Sequence, residues 1–214
     1  MTAIAITYAE LKKLNPCEDS RKRVAKLMGG ARKWTAPITA QHAKDAGCTL
    51  DDVVWTASAL TRDNPDVERR LRLWISDCAA RVLHIYEKTE ASDAPRNAII
   101  AGRQFARGKI DAAAWDAARA AAWDAARAAA WDAEWDAARD AAWDAARDAA
   151  RDAARGAARG AARGAAWDAA WDAAWDAAWD AEESWQFDRL IQWLSENEPE
   201  DWPLPKRAQL QAAE

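Results

Sequence analysis

From Trp115 to Trp179 every fourth residue is Trp or Arg, a run of 17 positions. The tryptophans are Trp115, Trp123, Trp131, Trp135, Trp143, Trp167, Trp171, Trp175 and Trp179; the arginines are Arg119, Arg127, Arg139, Arg147, Arg151, Arg155, Arg159 and Arg163. These residue types suit three kinds of chemistry. A guanidinium over an indole face gains about 0.5–2 kcal/mol, so the ladder could be structural, with Trp buried between helices and Arg stacked on it and paired to Asp. Trp and Arg also dominate binding hot spots, which makes the ladder a candidate protein-binding surface. Finally, aromatic faces beside guanidinium groups can hold a nucleotide. The residues assigned to a binding surface are Trp115, Trp123, Trp131, Trp167, Trp171 and Trp175, together with Arg147, Arg151, Arg155, Arg159 and Arg163.

The remaining inventory carries little reactive chemistry. His42 and His84 sit in no ligand-spaced cluster, so no metal is expected. Cys17, Cys48 and Cys78 form no CxxC and cannot all pair, which fits packing roles in a reducing cytoplasm. There is no GxSxG, Walker-type loop or GxGxxG, and Gly156, Gly160 and Gly164 are spaced as helix residues rather than loop residues. The expectation is a non-enzyme without a cofactor. Residues 111–183 hold 8 Arg against 16 acids, net −8, and the remainder 22 basic against 19 acidic, net +3. That balance lacks the basic footprint of a nucleic-acid binder. No run of 18 apolar residues occurs, so no membrane span is expected, and MTAIAITYAELKK lacks the basic and apolar regions of a secretory signal.

The elements that must position the ladder follow from composition. Of 214 residues 58 are Ala and 15 Trp, whereas Ile, Leu, Val and Phe total 28. Residues 111–183 account for 37 of the Ala and 9 of the Trp, with no Ile, Leu, Val or Phe. Ala and Arg favour helix, and Asp three residues before Arg adds support, as in Asp116/Arg119 and Asp124/Arg127. A period of four advances about 400° per unit, so the ridge drifts by about 40° each time around a straight helix. A single helix of about 70 residues, roughly 105 Å long, would leave much indole in water. Two Trp-rich helices folded back on each other are expected instead, with the bend at the Gly-bearing stretch from Arg147 to Gly164.

The flanks read as ordinary amphipathic helices. Tyr8 to Leu14 stops before Asn15-Pro16, and Ser20 to Met28 ends at Gly29-Gly30. Thr39 caps Ala40 to Ala46, and Thr49 with Asp52 opens Leu50 to Leu60. Asn64-Pro65 opens the longest helix, to about Lys88, with Val67, Leu71, Trp74, Ile75, Cys78, Val82 and Ile85 at helical spacing. Ser92 or Asp93 starts a helix to Gly108 that buries Ile99, Ile100 and Phe105. Trp185 to Leu194 forms a further helix, after which Trp202, Pro203, Leu204 and Pro205 dock as an extended strap.

The stretch Cys78 to Lys88, then Asp93-Ala-Pro95-Arg96-Asn-Ala98-Ile99, then Arg103-Gln-Phe105-Ala106-Arg107-Gly108-Lys-Ile110, leads directly into an Ala/Arg-rich run. Over about residues 70–180 this resembles the immunity protein family of bacterial toxin–immunity loci, with similar proteins in phage genomes. The resemblance implies a small helical inhibitor. The family's Ala-rich region mixes His, Ala and Arg irregularly, whereas this chain has a strict tetrapeptide, so a partner surface there does not transfer.

The expectation is therefore an all-α helical bundle: an N-terminal helical region at 1–110, a period-four helical layer at 111–183, and a C-terminal helix and tail at 184–214 packing on the same unit. Its expected role is inhibitory binding to a toxin or host-defence protein. A self-associating homo-oligomer and a nucleotide-signal sponge are the alternatives.

Overall fold

The computed structural model describes residues 2–88, 92–128 and 177–206. Within them the chain is predominantly α-helical: α1 Tyr8–Lys13, α2 Glu18–Leu27, α3 Ala40–Asp45, α4 Leu50–Leu60, α5 Pro65–Tyr86 and α6 Ala94–Ala106. Residues 112–128 (α7) and 177–194 (α8) are helical as far as they are described. One antiparallel pair, β1 Ala5–Ile6 with β2 Ile38–Thr39, pairs Ala5 with Thr39 and Ile6 with Ile38. Two-residue strands carry too little alternation to be legible in sequence. No described helix is long and apolar enough to cross a membrane.

Helix starts follow local side-chain chemistry. Thr7/Glu10, Thr39/His42 and Thr49/Asp52 each form a reciprocal capping box, which satisfies first-turn N–H groups that lack helical partners. In the second of these the Thr39 N–H donates to His42 Nδ1 at 3.3 Å, so this histidine serves a helix end. Asn64 Oδ1 accepts from the N–H groups of Asp66 and Val67 at 3.1 and 3.3 Å, with Pro65 fixing the first turn of α5. The α2 helix begins at Glu18 rather than Ser20, because Glu18 and Asp19 favour a helix N-terminus although Cys17 provides no side-chain cap. The α6 helix ends at Ala106, and Gly108 takes φ 65°, a left-handed turn that suits glycine.

The core lies around α5. Val53, Ala57, Val67, Leu71, Leu73 and Trp74 meet Phe187, Leu190, Trp193 and Leu194 of α8 in one cluster. Ile6, Leu11 and Trp34 form a second beneath α1, with Tyr8 and Trp34 ring centroids 5.8 Å apart. Ala80, Leu83 and Ile99 form a third, covered by Trp202 and Leu204 of the strap. The apolar spacing of α5 therefore divides between two faces. Ile75, Val82 and Ile85 are exposed, and so is Ile100 of α6, while Phe105 is half-buried; the sequence expectation had Ile100 inside. α6 packs on α5 with Ile99 turned inward, and Ile100, about 100° further round the helix, falls on its outer side.

Candidate functional site

The parts of the ladder inside the described residues are its two ends, and each is fastened to α5. The fastening starts at Asp77, which has no solvent-exposed surface. Its Oδ1 accepts from Arg103 Nη2 of α6 and from the Trp202 N–H of the strap, both at 2.8 Å. Its Oδ2 accepts from Arg189 Nε and Nη2 of α8 at 2.9 and 2.7 Å, and from the Trp193 indole N–H at 2.8 Å. Buried carboxylates persist only when this fully bonded, since an isolated one would cost several kcal/mol. One side chain thus ties α5, α6, α8 and the strap together.

Further guanidinium groups complete the frame. Arg70, also without exposed surface, donates to the Trp193 and Ser195 carbonyls at 3.1 and 2.7 Å, placing a cation at the negative end of α8. Arg69 bonds Glu198, and Arg96 grips Glu87 with two bonds, at 2.7 and 2.6 Å, while reaching the Pro205 carbonyl at 2.7 Å. Arg107 pairs with Asp201.

Where the chain runs into the ladder, Trp115 stacks on Phe105 with ring centroids 5.1 Å apart and planes 2° from parallel. Arg72 of α5 lies over both rings, 4.8 Å from each centroid. Gly102 permits this approach: a Cβ there would lie 3.1 Å from Ser76 Oγ and 3.6 Å from Trp115 Nε1. Arg119 sits 5.4 Å from the Trp115 centroid and bonds Asp116 at 3.3 Å. Two units along, Trp123 is 67% exposed.

Where the chain leaves the ladder, Arg81 of α5 pairs with Glu182 at 2.8 Å and lies 4.3 Å over the Trp185 ring. Trp185 meets Trp202 edge-on at 4.9 Å. Before this point Trp179 is 65% exposed. Ile75 and Val82, seven residues apart and exposed, share the outer face of α5, with Arg72 to one side and Arg81 to the other.

Of the residues assigned from sequence, Trp115 is thus a packed fastening and Trp123 a presented indole. Trp131, Trp167, Trp171, Trp175 and Arg147, Arg151, Arg155, Arg159 and Arg163 lie outside the described residues, as does the expected bend. Trp179, in the same period-four register, lies outside the surface assigned from sequence, yet it is exposed. The residues carrying the resemblance are engaged within the molecule: Glu87, Arg96, Arg103 and Arg107 hold α6 or the strap, and Phe105 holds Trp115 of α7. In this structure they form part of the frame that joins α5, α6 and the strap. No family model, curated protein or solved structure matches this chain.

A second feature had no sequence signal. Between α2, α4 and the β1–β2 pair lies a cleft of about 420 Å³ lined by separate stretches between Ile4 and Leu60 together with Leu194. Arg23 of α2 and Asp52 of α4 form an ion pair there. Burial alone would raise the Asp52 carboxyl, but hydrogen bonds from Arg23 and Thr49 outweigh it and hold it below the ordinary aspartate range. Cys17 is exposed at the margin, contrary to the packing role expected for it, because it occupies the position just before α2, outside the helix; Cys48 is buried as expected. A hydrogen bond with Ser20 lowers the Cys17 thiol, whereas burial raises Cys48 and pushes Cys78 up to about 12.

Proposed function

We propose that this chain is a non-enzymatic binding protein that captures a protein partner through indoles at the two ends of its ladder. The observation that carries this reading is the exposure of Trp123 and Trp179, at 67% and 65%. Free indoles are costly to leave in water and are the commonest anchors of protein interfaces. The exposed aliphatic pair Ile75 and Val82 lies on α5 between the two fastening points and would extend the same apolar surface. The family resemblance gives this reading its specific form, an immunity or anti-defence inhibitor that occupies a toxin or host-defence protein and blocks it.

The test is capture by the full chain in cells, followed by crosslinking and identification. A single protein partner held by the native chain, and lost from a Trp123→Ala/Trp179→Ala variant with an unchanged circular dichroism spectrum, supports the proposal. A folded native chain that captures no protein, or capture undiminished in the variant, overturns it. The same exposed indoles would suit a second copy of the chain; light scattering showing a defined oligomer that the double variant dissociates would favour self-association instead.

A further inference from the structure

The cleft between α2 and α4 is independent of the ladder and has the make-up of a small-molecule site. Its volume of about 420 Å³ lies within the usual range for ligand pockets, about 300–1,000 Å³. Its depth is apolar, formed by Ile6, Leu11, Val24, Trp34, Ile38 and Val53. Its margin carries Ser20, Arg21, Arg23, Asp51 and Asp52.

The cations at that margin differ in one respect. Arg23 is committed to Asp52. Arg21 is not: its Nε is buried and donates no hydrogen bond. A buried donor on a charged group is unfavourable without an acceptor, and Arg21 lines the cleft, so a turn of its side chain toward the opening would let the guanidinium meet an acceptor there. Asp51 lies on the exposed first turn of α4, where water screens its charge, yet it disfavours a dianion near the mouth.

We propose that the cleft binds an amphiphile with one apolar chain and a single carboxylate head, the chain lying along Trp34, Leu11 and Val24 and the head accepting from Arg21. A charge-assisted bond to a guanidinium supplies selectivity over neutral and cationic amphiphiles of equal length.

Calorimetric titration of the full chain at pH 7 with decanoate, decanol and decyltrimethylammonium, each below its micellar concentration, tests this. One decanoate per chain is expected, with decanol and the cation at least tenfold weaker. Arg21→Leu should weaken decanoate by about tenfold or more, and Ser20→Trp, which fills the mouth from a half-buried helix position, should abolish binding with the urea midpoint retained. Decanoate should also slow alkylation of Cys17 at the margin. No decanoate binding by the native chain, equal affinity for all three probes, or unchanged affinity in folded Arg21→Leu overturns the proposal.

Discussion

The indole N–H of Trp193 donates to Asp77 Oδ2 at 2.8 Å, joining α8 to α5 across 116 residues of chain. The same oxygen takes both bonds from Arg189, and its neighbour takes Arg103 and the strap. Asp77→Ala should therefore leave two guanidinium groups at a buried site without their carboxylate. The expected cost is about 3–5 kcal/mol, read as a fall in urea midpoint at constant slope. A loss below 1 kcal/mol would show that the network is dispensable.

Trp115 and Trp123 separate stability from binding. Trp115→Ala removes the stack on Phe105 and the Arg72 contact and should destabilise by about 1–3 kcal/mol. Trp123→Ala should change stability by less than about 0.5 kcal/mol while weakening partner capture. Parallel urea titration and capture of the two variants checks this, and equal stability losses would contradict the roles given to them.

Gly102→Val tests the close approach at α6 by a different route. A branched side chain placed 3.1 Å from Ser76 Oγ must displace Ser76 or Trp115, so α7 should loosen from α5. Hydrogen exchange at residues 112–120 should quicken in the variant, with exchange in α4 unchanged.

Thiol titration should resolve the three cysteines. Cys17, exposed and lowered by its bond to Ser20, should react first at pH 8; Cys48 and Cys78, raised by burial, should remain unreacted until the chain unfolds. Fast reaction of two thiols in the folded state would contradict this order.

Acid should destabilise the N-terminal helices through carboxyls held low. Hydrogen bonds to the Thr7 N–H and hydroxyl lower Glu10, and Asp52 is lowered as described despite its burial. A depressed carboxyl adds stability that is present above its unfolded value, near 4, and disappears as pH falls through the folded one. The urea midpoint should drop between pH 5 and pH 2, at about the usual acid range. Glu10→Gln and Asp52→Asn together should flatten that drop.

Local chemistry was legible in the residues, and long-range pairing was not. Thr39, Thr49 and Asn64-Pro65 marked helix starts because a cap needs only the next three residues, and Trp202 to Pro205 read as a strap because two prolines exclude a helix. Asp77 gave no signal, since its partners lie between 26 and 125 residues away. The second, outward face of α5 was equally hidden: Ile75 and Val82 obey the same spacing as Val67 and Trp74, and periodicity records neighbours on a helix without recording which face is covered. Trp115 and Trp123 share one repeat register, and only the position of Phe105 and Arg72 distinguishes their fates.

The closure at Asp77 also sets an order of events during synthesis. Arg189 follows Asp77 by 112 residues, roughly 6–22 s of translation at about 5–20 residues per second. The whole ladder is made in that interval, while α5 has only Arg103 to offset its carboxylate. The nascent chain therefore carries Trp123 and Trp179, the most exposed tryptophans among the described residues, before the second guanidinium that closes the frame on Asp77 has been made.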